Sequence, residues 1–387
     1  MRLSQRFSID PNASWVADHN AEAAEVVAAY EADRPIRVPL LCDDGCHLHG
    51  FYADEVDLDY RDYYTDPDVM LTVQLEAARR RRELPIYDMQ LGKAPDHWPV
   101  AVDLHPVITP GWVGCPLLYR KDAVIAHRSL ALGKEECRAL PMPDPLTGGI
   151  LANHNALLSA LKSRCDGGLQ FLGRPVGPPQ SSIWCYGFFA LALDIRGVDL
   201  MADMYEDPDF AREFLLKIAT WSGEMGCDPA TRPGQDRSPY GYSDHGIDML
   251  SPELYEEFIV PIIDEMNRRR GTKAYTSLHH CGRGTHLFGI MKRHFGLTHI
   301  DALTYPLVDI AEIRRELGYD VWISGCIGMG IVKLGPPERI RQTVKELMAS
   351  GAKGDGRFSL WVGDLLRGTP LAHRVALYES IKEFGRY

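Results

Sequence analysis

Lys273-Ala274-Tyr275-Thr276-Ser277-Leu278-His279-His280-Cys281-Gly282 is an apolar run that closes on two histidines, a cysteine and a glycine. If the run is a strand, its two-residue period places His279 and Cys281 on one face and turns His280 to the other. An imidazole and a thiol then converge on one point. Such a pair suits zinc, which takes His nitrogen and Cys sulfur and keeps one position open in catalytic sites. Spacing alone is weak grounds, because a buried Cys is commonly a small apolar residue and a lone His a hydrogen-bonded one. The position of the pair along the chain strengthens the case.

Beyond Gly282 the pattern alternates. A helix fits Thr285 to Phe295, a strand His299 to Thr304, a helix Asp309 to Leu317, and a strand Asp320 to Ser324 that ends in Gly325-Cys326-Ile327-Gly328. Pro336 to Ala349 reads as a helix with prolines in its first turn and Gly351 past its end. Phe358 to Val362 reads as a strand ending at Gly363-Asp364, and Leu371 to Phe384 as the closing helix. Short strands alternating with amphipathic helices imply parallel pairing, and consecutive units of this kind in a chain of 387 residues predict an α/β fold, a (β/α)8 TIM barrel. The doubly wound open sheet shows the same alternation and stays open as the alternative. In a barrel the strand C-termini form the active face, which makes His279, Cys281, Cys326 and Asp364 candidate metal ligands at three points of one rim. The expected organisation is a single domain over residues 1–387, with loop insertions and a helical extension at residues 1–34 packed on it.

Composition sets outer limits. The chain is 45% hydrophobic and 25% charged, ordinary for a globular protein with a sizeable core. It has no run of eighteen apolar residues, and Met1-Arg2-Leu3-Ser4-Gln5-Arg6 lacks the apolar region of a secretory signal, so a soluble cytoplasmic protein without a membrane partner is expected. A net charge of −11 argues against nucleic acid as a partner. Nine widely spread cysteines fit thiols used for packing or metal in a reducing compartment. The basic run Arg79-Arg80-Arg81-Arg82 is expected to be the solvated end of a helix from Pro67 to Glu83. Gly328-Met329-Gly330 lacks the third glycine of a nucleotide fingerprint. A homodimer is carried as an open expectation.

The N-terminal half is less regular. Asn20 to Ala32 is helical in pattern, and Arg37 to Leu41 reads as the first barrel strand, leading into Cys42-Asp43-Asp44-Gly45-Cys46-His47-Leu48-His49. That cluster either holds a second metal or lines the pocket at the strand end, with His49 a candidate proton carrier. A helix over Pro208 to Ser222 precedes a long loop, Gly226 to Tyr240, and then Gly241-Tyr242-Ser243-Asp244-His245-Gly246. Asp244 and His245 fall where a barrel strand would end, as candidates for substrate contact, acid/base work or a further metal ligand; a plain turn cap is the alternative for Asp244. Ser251-Pro252 caps a helix to Arg270 that Pro261 should kink.

From about Asp207 onward the chain resembles the uroporphyrinogen decarboxylase superfamily, and within it the cobalamin-dependent methyltransferase branch. The resemblance is carried by Leu250-Ser251-Pro252-Glu253-Leu254-Tyr255-Glu256-Glu257-Phe258 with Pro261, by Leu278-His279-His280-Cys281-Gly282, by Val308-Asp309-Ile310-Ala311-Glu312 and by Ser324-Gly325-Cys326. It implies His279 and Cys281 as zinc ligands, with a further Cys from a glycine-rich turn near the C-terminus. Here Gly363-Asp364-Leu365-Leu366 puts Asp364 at that place, so either Asp364 or Cys326 would complete the set. It also implies methyl transfer between a small methylated donor or acceptor (O-, N- or S-methyl) and a corrinoid, carried as cobalamin or on a partner corrinoid protein. Asp244, His245, His280 and His49 would be the proton carriers around the metal. A decarboxylase or lyase acting on a small carboxylated substrate is the rival enzyme, and a non-catalytic binding or scaffold barrel the rival of another class. The porphyrin-type decarboxylases need arginines near the first strand, where this chain has Arg34 and Arg37 followed by Asp43, Asp44, His47 and His49.

Overall fold

The computed structural model describes residues 3–42, 49–181, 183, 185–225, 241–271, 276–361 and 367–387. Among them the strands run, in chain order, β1 (Leu40–Leu41), β2 (Leu117–Leu118), β3 (Ala126–His127), β4 (Gln170–Phe171), β5 (Arg174–Pro175), β6 (Gly241–Ser243), β7 (Ser277–His279), β8 (His299–Tyr305), β9 (Trp322–Ile327) and β10 (Phe358–Trp361). Two compact units share the chain: residues 1–103, 158–180 and 300–387 in one, 104–157 and 181–299 in the other.

In the first unit four strands lie in the order β1-β10-β9-β8. β10 is parallel to both neighbours, pairing Leu40 with Leu360 and Phe358 with Ile323. Ile300, Leu303, Ile323, Phe358 and Leu360 are buried, the near-continuous apolar character of strands covered on both faces. The helices that return the chain are amphipathic and capped where the sequence indicates. Asp309 accepts from the amide of Glu312 at the start of Ile310–Leu317, and a proline opens Pro337–Ala349. Thr285–Phe295 and Leu371–Phe384 have the bounds the spacing predicts. β9 differs, running through Gly325 and Cys326 where a turn was expected, because Gly325 is still paired with Leu360 of β10.

Buried charge fastens the first strand to the last helix. Arg37 grips Asp88 with two nitrogens at 2.9 and 2.6 Å, while the amide of Leu40 and the hydroxyl of Tyr378 donate to the same carboxylate at 2.8 and 2.9 Å. The arginine run also departs from its expected exposure. Arg81 and Arg82 are buried, Arg82 lies over the Trp98 ring, Arg79 is paired with Glu76 and Glu83, and Arg80 with Glu55. Acidic neighbours three and four residues away neutralise the run, and its long stems cover apolar surface.

In the second unit β6 and β7 are parallel, and β2–β3 form an antiparallel hairpin. The segment after Ser251 divides into Pro252–Leu254, a wider π turn at Tyr255–Ile259, and Val260–Arg270. Pro261 has no N–H for the carbonyl four residues back, and the extra residue in the π turn accommodates that loss. No described helix is long and apolar enough to cross a membrane, and every described cysteine is a free thiol.

Removing the Asp88 carboxylate leaves the buried Arg37 with only the half-exposed Glu22 at 3.1 Å as an ionic partner, and strips the Leu40 amide and Tyr378 hydroxyl of their acceptor. Asp88→Ala is expected to cost about 3–5 kcal/mol of unfolding free energy, read from the denaturant midpoint.

Candidate metal centre

Parallel register brings the donors together. Ser243 of β6 is paired with His279 of β7, so the residues two further on, His245 and Cys281, emerge side by side beyond the strand ends. Exposure follows the period: Leu278 and His280 are buried, His279 is half-buried and Cys281 exposed. The thiol of Cys281 stands 3.5 Å from Nδ1 of His245 and 3.5 Å from Nε2 of His279, and the three donor atoms all lie within 4.8 Å of one another. The imidazole rings of His245 and His279 meet edge to face, with centroids 5.5 Å apart. Among the described residues this is the one cluster of three or more His, Cys, Asp or Glu donors that could hold a metal ion.

The two sulfur–nitrogen separations fit zinc. Bonds of about 2.3 Å to sulfur and about 2.0–2.1 Å to nitrogen, opened to a tetrahedral angle, set sulfur–nitrogen edges of about 3.5–3.6 Å. The openness of the cluster suits a catalytic ion, which keeps a position for substrate. Electrostatics favour the thiolate as well. Partial desolvation, the largest single influence on Cys281, pushes its pKa up, but hydrogen bonds from His245 and His279 together outweigh it and bring the thiol down to about 6.

The two residues on the opposite face hold the strands in place. His280 is fully buried, and its Nδ1 donates to the carbonyl of Asp244 at 2.8 Å. Since a carbonyl only accepts, Nδ1 carries the proton. Burial lowers the pKa of this imidazole and outweighs the opposing pull of the Asp244 carbonyl, so the ring is neutral. The Asp244 carboxylate, also fully buried, accepts from the amides of Phe189, Ala190 and Gly246 at 3.0, 3.0 and 3.3 Å. Phe189 and Ala190 are in the first turn of helix Phe188–Arg196, where amides lack partners within the helix and the dipole favours an anion. Asp244 and His280, expected as proton carriers, both carry hydrogen bonds that join the strand ends to each other and to the helix.

Cys326 is not a member of the cluster. It is buried within β9, its sulfur 3.3 Å from the hydroxyl of Thr304, because the strand continues through the position where a rim turn was expected. Asp364, Cys46 and His47 lie outside the described residues, as does the side chain of His49. Sequence reasoning missed Gly284 and Asp248. A β-carbon at Gly284 would stand 2.8 Å from Nε2 of His280, and Asp248 accepts the amide of Arg283 at 3.1 Å. The bare loop Gly282-Arg283-Gly284 thus wraps closely round the His280 ring. Two glycines separated by one residue were the signal.

Parallel β-α order with a donor cluster just past the strand C-termini defines an α/β protein of the barrel class, with its chemistry-bearing groups at the face such folds use. A family model described as Uroporphyrinogen decarboxylase (URO-D) matches residues 22–384, and the chain belongs to that family, whose fold is the (β/α)8 barrel. A methyltransferase from Methanosarcina mazei has a similar structure, with a TM-score of 0.59 at 16% identity over 94% of this chain and 98% of that one. At that identity the likeness speaks for the fold. No curated protein matches the chain.

Two outcomes follow from the geometry. In metal-free protein, alkylation of Cys281 by iodoacetamide should show its midpoint near pH 6, with the thiolate dominant at pH 7, and His279→Ala should move that midpoint toward the ordinary thiol value. Gly284→Ala should cost about 1–3 kcal/mol by overpacking His280, measured by chemical denaturation.

Proposed function

We propose that this protein is a zinc-dependent methyltransferase that moves a methyl group between a small O-, N- or S-methylated substrate and a corrinoid, supplied as cobalamin or on a partner corrinoid protein. The observation that carries the proposal is the pair of 3.5 Å sulfur–nitrogen separations at Cys281, which match the edges of a zinc tetrahedron. Family membership and the likeness to a methyltransferase support the same choice.

His245 Nδ1, His279 Nε2 and Cys281 Sγ would hold the ion, with Asp364 or a substrate heteroatom in the remaining position. When bound, zinc supplies a Lewis acid that makes the methyl-bearing heteroatom a better leaving group, or stabilises an acceptor thiol as thiolate. Cys281 enters this role readily because its proton is already loosely held at neutral pH. The hydroxyl of Ser243, 3.5 Å from Nε2 of His245, orients that ring from its far side. His280 and Asp244 keep the two strand ends in register. His49 would serve as a proton carrier. A decarboxylase of the porphyrin type is disfavoured by Arg37, whose guanidinium is buried against Asp88 instead of being offered to a substrate carboxylate.

Purified protein should contain about one zinc per chain and methylate cob(I)alamin from at least one member of a panel of methyl ethers, methylamines and methyl thioethers. Cys281→Ala and His279→Ala should each lose the metal and reduce transfer by more than the roughly 10- to 100-fold typical of residues that only orient a ligand. Full activity after exhaustive chelation, or carbon dioxide release without methyl transfer, would overturn the assignment.

A further inference from the structure

One helix reaches His245 by two separate routes. The first turn of Phe188–Arg196 binds the Asp244 carboxylate through the amides of Phe189 and Ala190, which fixes the backbone immediately before His245. Gly187, just ahead of this turn, is close enough that a β-carbon there would collide with that carboxylate, and its amide donates to the carbonyl of Ser243. Farther along the same helix, Asp194 accepts a hydrogen bond from the Tyr186 hydroxyl on one carboxylate oxygen and faces Nε2 of His127 at 2.8 Å on the other. The Tyr186 ring in turn packs against the His245 imidazole, centroids 6.4 Å apart at 63°. From the amide of Phe189 to Asp194 is five residues, about 7.5 Å along the axis, so the two routes touch the 244–245 segment from well-separated points.

The outer end of this line is anchored with the same care. His127 lies on the β2–β3 hairpin, paired with Leu117. The carbonyl of Asp194 accepts from the amide of Leu130 and the hydroxyl of Ser129, each at 2.8 Å, so backbone and side chain of Asp194 both bind the inserted hairpin. His127 and Asp194 retain 26% and 17% side-chain exposure, which places an imidazole–carboxylate pair at the margin of the unit rather than in its core. An apolar contact would hold the hairpin down equally well. A directed chain of hydrogen bonds additionally fixes the rotation of the Tyr186 ring, and through it the ring it supports.

We propose that Tyr186 and Asp194 are positioning residues of the metal centre, that they set the orientation of the His245 imidazole toward Cys281 and His279, and that the β2–β3 hairpin belongs to the centre through His127. Neither Tyr186 nor Asp194 is a ligand in this arrangement. The proposal rests on the zinc assignment above, and metal affinity separates the two.

The test is chelator competition for zinc, together with the absorption spectrum of the cobalt(II)-substituted protein, on wild type, Tyr186→Phe, Asp194→Asn and His127→Gln. Tyr186→Phe and Asp194→Asn are expected to weaken zinc about 10- to 100-fold and to shift the cobalt ligand-field bands, with His127→Gln giving a smaller change in the same direction. His245→Ala is the control for outright ligand loss. If wild type binds no zinc, the metal assignment falls and the inference with it. If wild type binds zinc while all three variants match it within about twofold and give the same cobalt spectrum, the centre stands and the positioning role is overturned. Apo-protein melting identifies a misfolded variant; in that case His127→Gln, at the outer end of the line, decides by the same two readouts.

Discussion

The candidate site depends on the parallel register of β6 and β7, with Ser243 beside His279. Everything at the cluster follows from counting two residues forward on each strand. His245 and Cys281 point one way, Asp244 and His280 the other, and the second pair is joined by the hydrogen bond from His280 to the Asp244 carbonyl. A slip of one residue would put a fully buried imidazole and carboxylate where the donors are and the donors in the core. Register is defended by more than backbone pairing, since Asp244 is also held by the amides of a helix from another part of the chain.

The two faces of these strand ends have opposite chemistry for a physical reason. On the buried face the imidazole of His280 donates through Nδ1 to a carbonyl, and the Asp244 carboxylate sits on the positive end of a helix. On the open face a thiol and two imidazoles crowd one another, and hydrogen bonds from the imidazoles lower the pKa of the thiol. A metal ion satisfies all three at once. That complementarity, more than the motif, makes the cluster a candidate centre.

Much of this was legible in the sequence. The alternation from Thr285 to Phe384 was readable because each helix has its apolar stripe and a cap, as with Asp309 and the proline opening Pro337–Ala349, and each strand its short apolar run. The opposite directions of His279 and His280 followed from period two alone. His245 could be placed at a strand end but its partners could not, because which strands become neighbours is a property of the folded chain. Cys326 misled for a related reason: a glycine looks like the end of a strand, yet Gly325 is paired in the middle of one. Tyr186, Asp194 and His127 are spread over nearly seventy positions with no recurrent spacing, and only tertiary contact joins them. The arginine run was misjudged because charge was read without its partners, Glu55, Glu76 and Glu83.

The bond between the Asp244 side chain and Phe189 spans 55 positions of the chain. That bond braces the end of β6, and only the pairing of β6 with β7 brings His245 across 36 positions to the His279–Cys281 pair. Assembly of the trio thus reports completion of tertiary structure. An ion that needed all three donors would therefore be held by the folded chain and only feebly by an unravelled one.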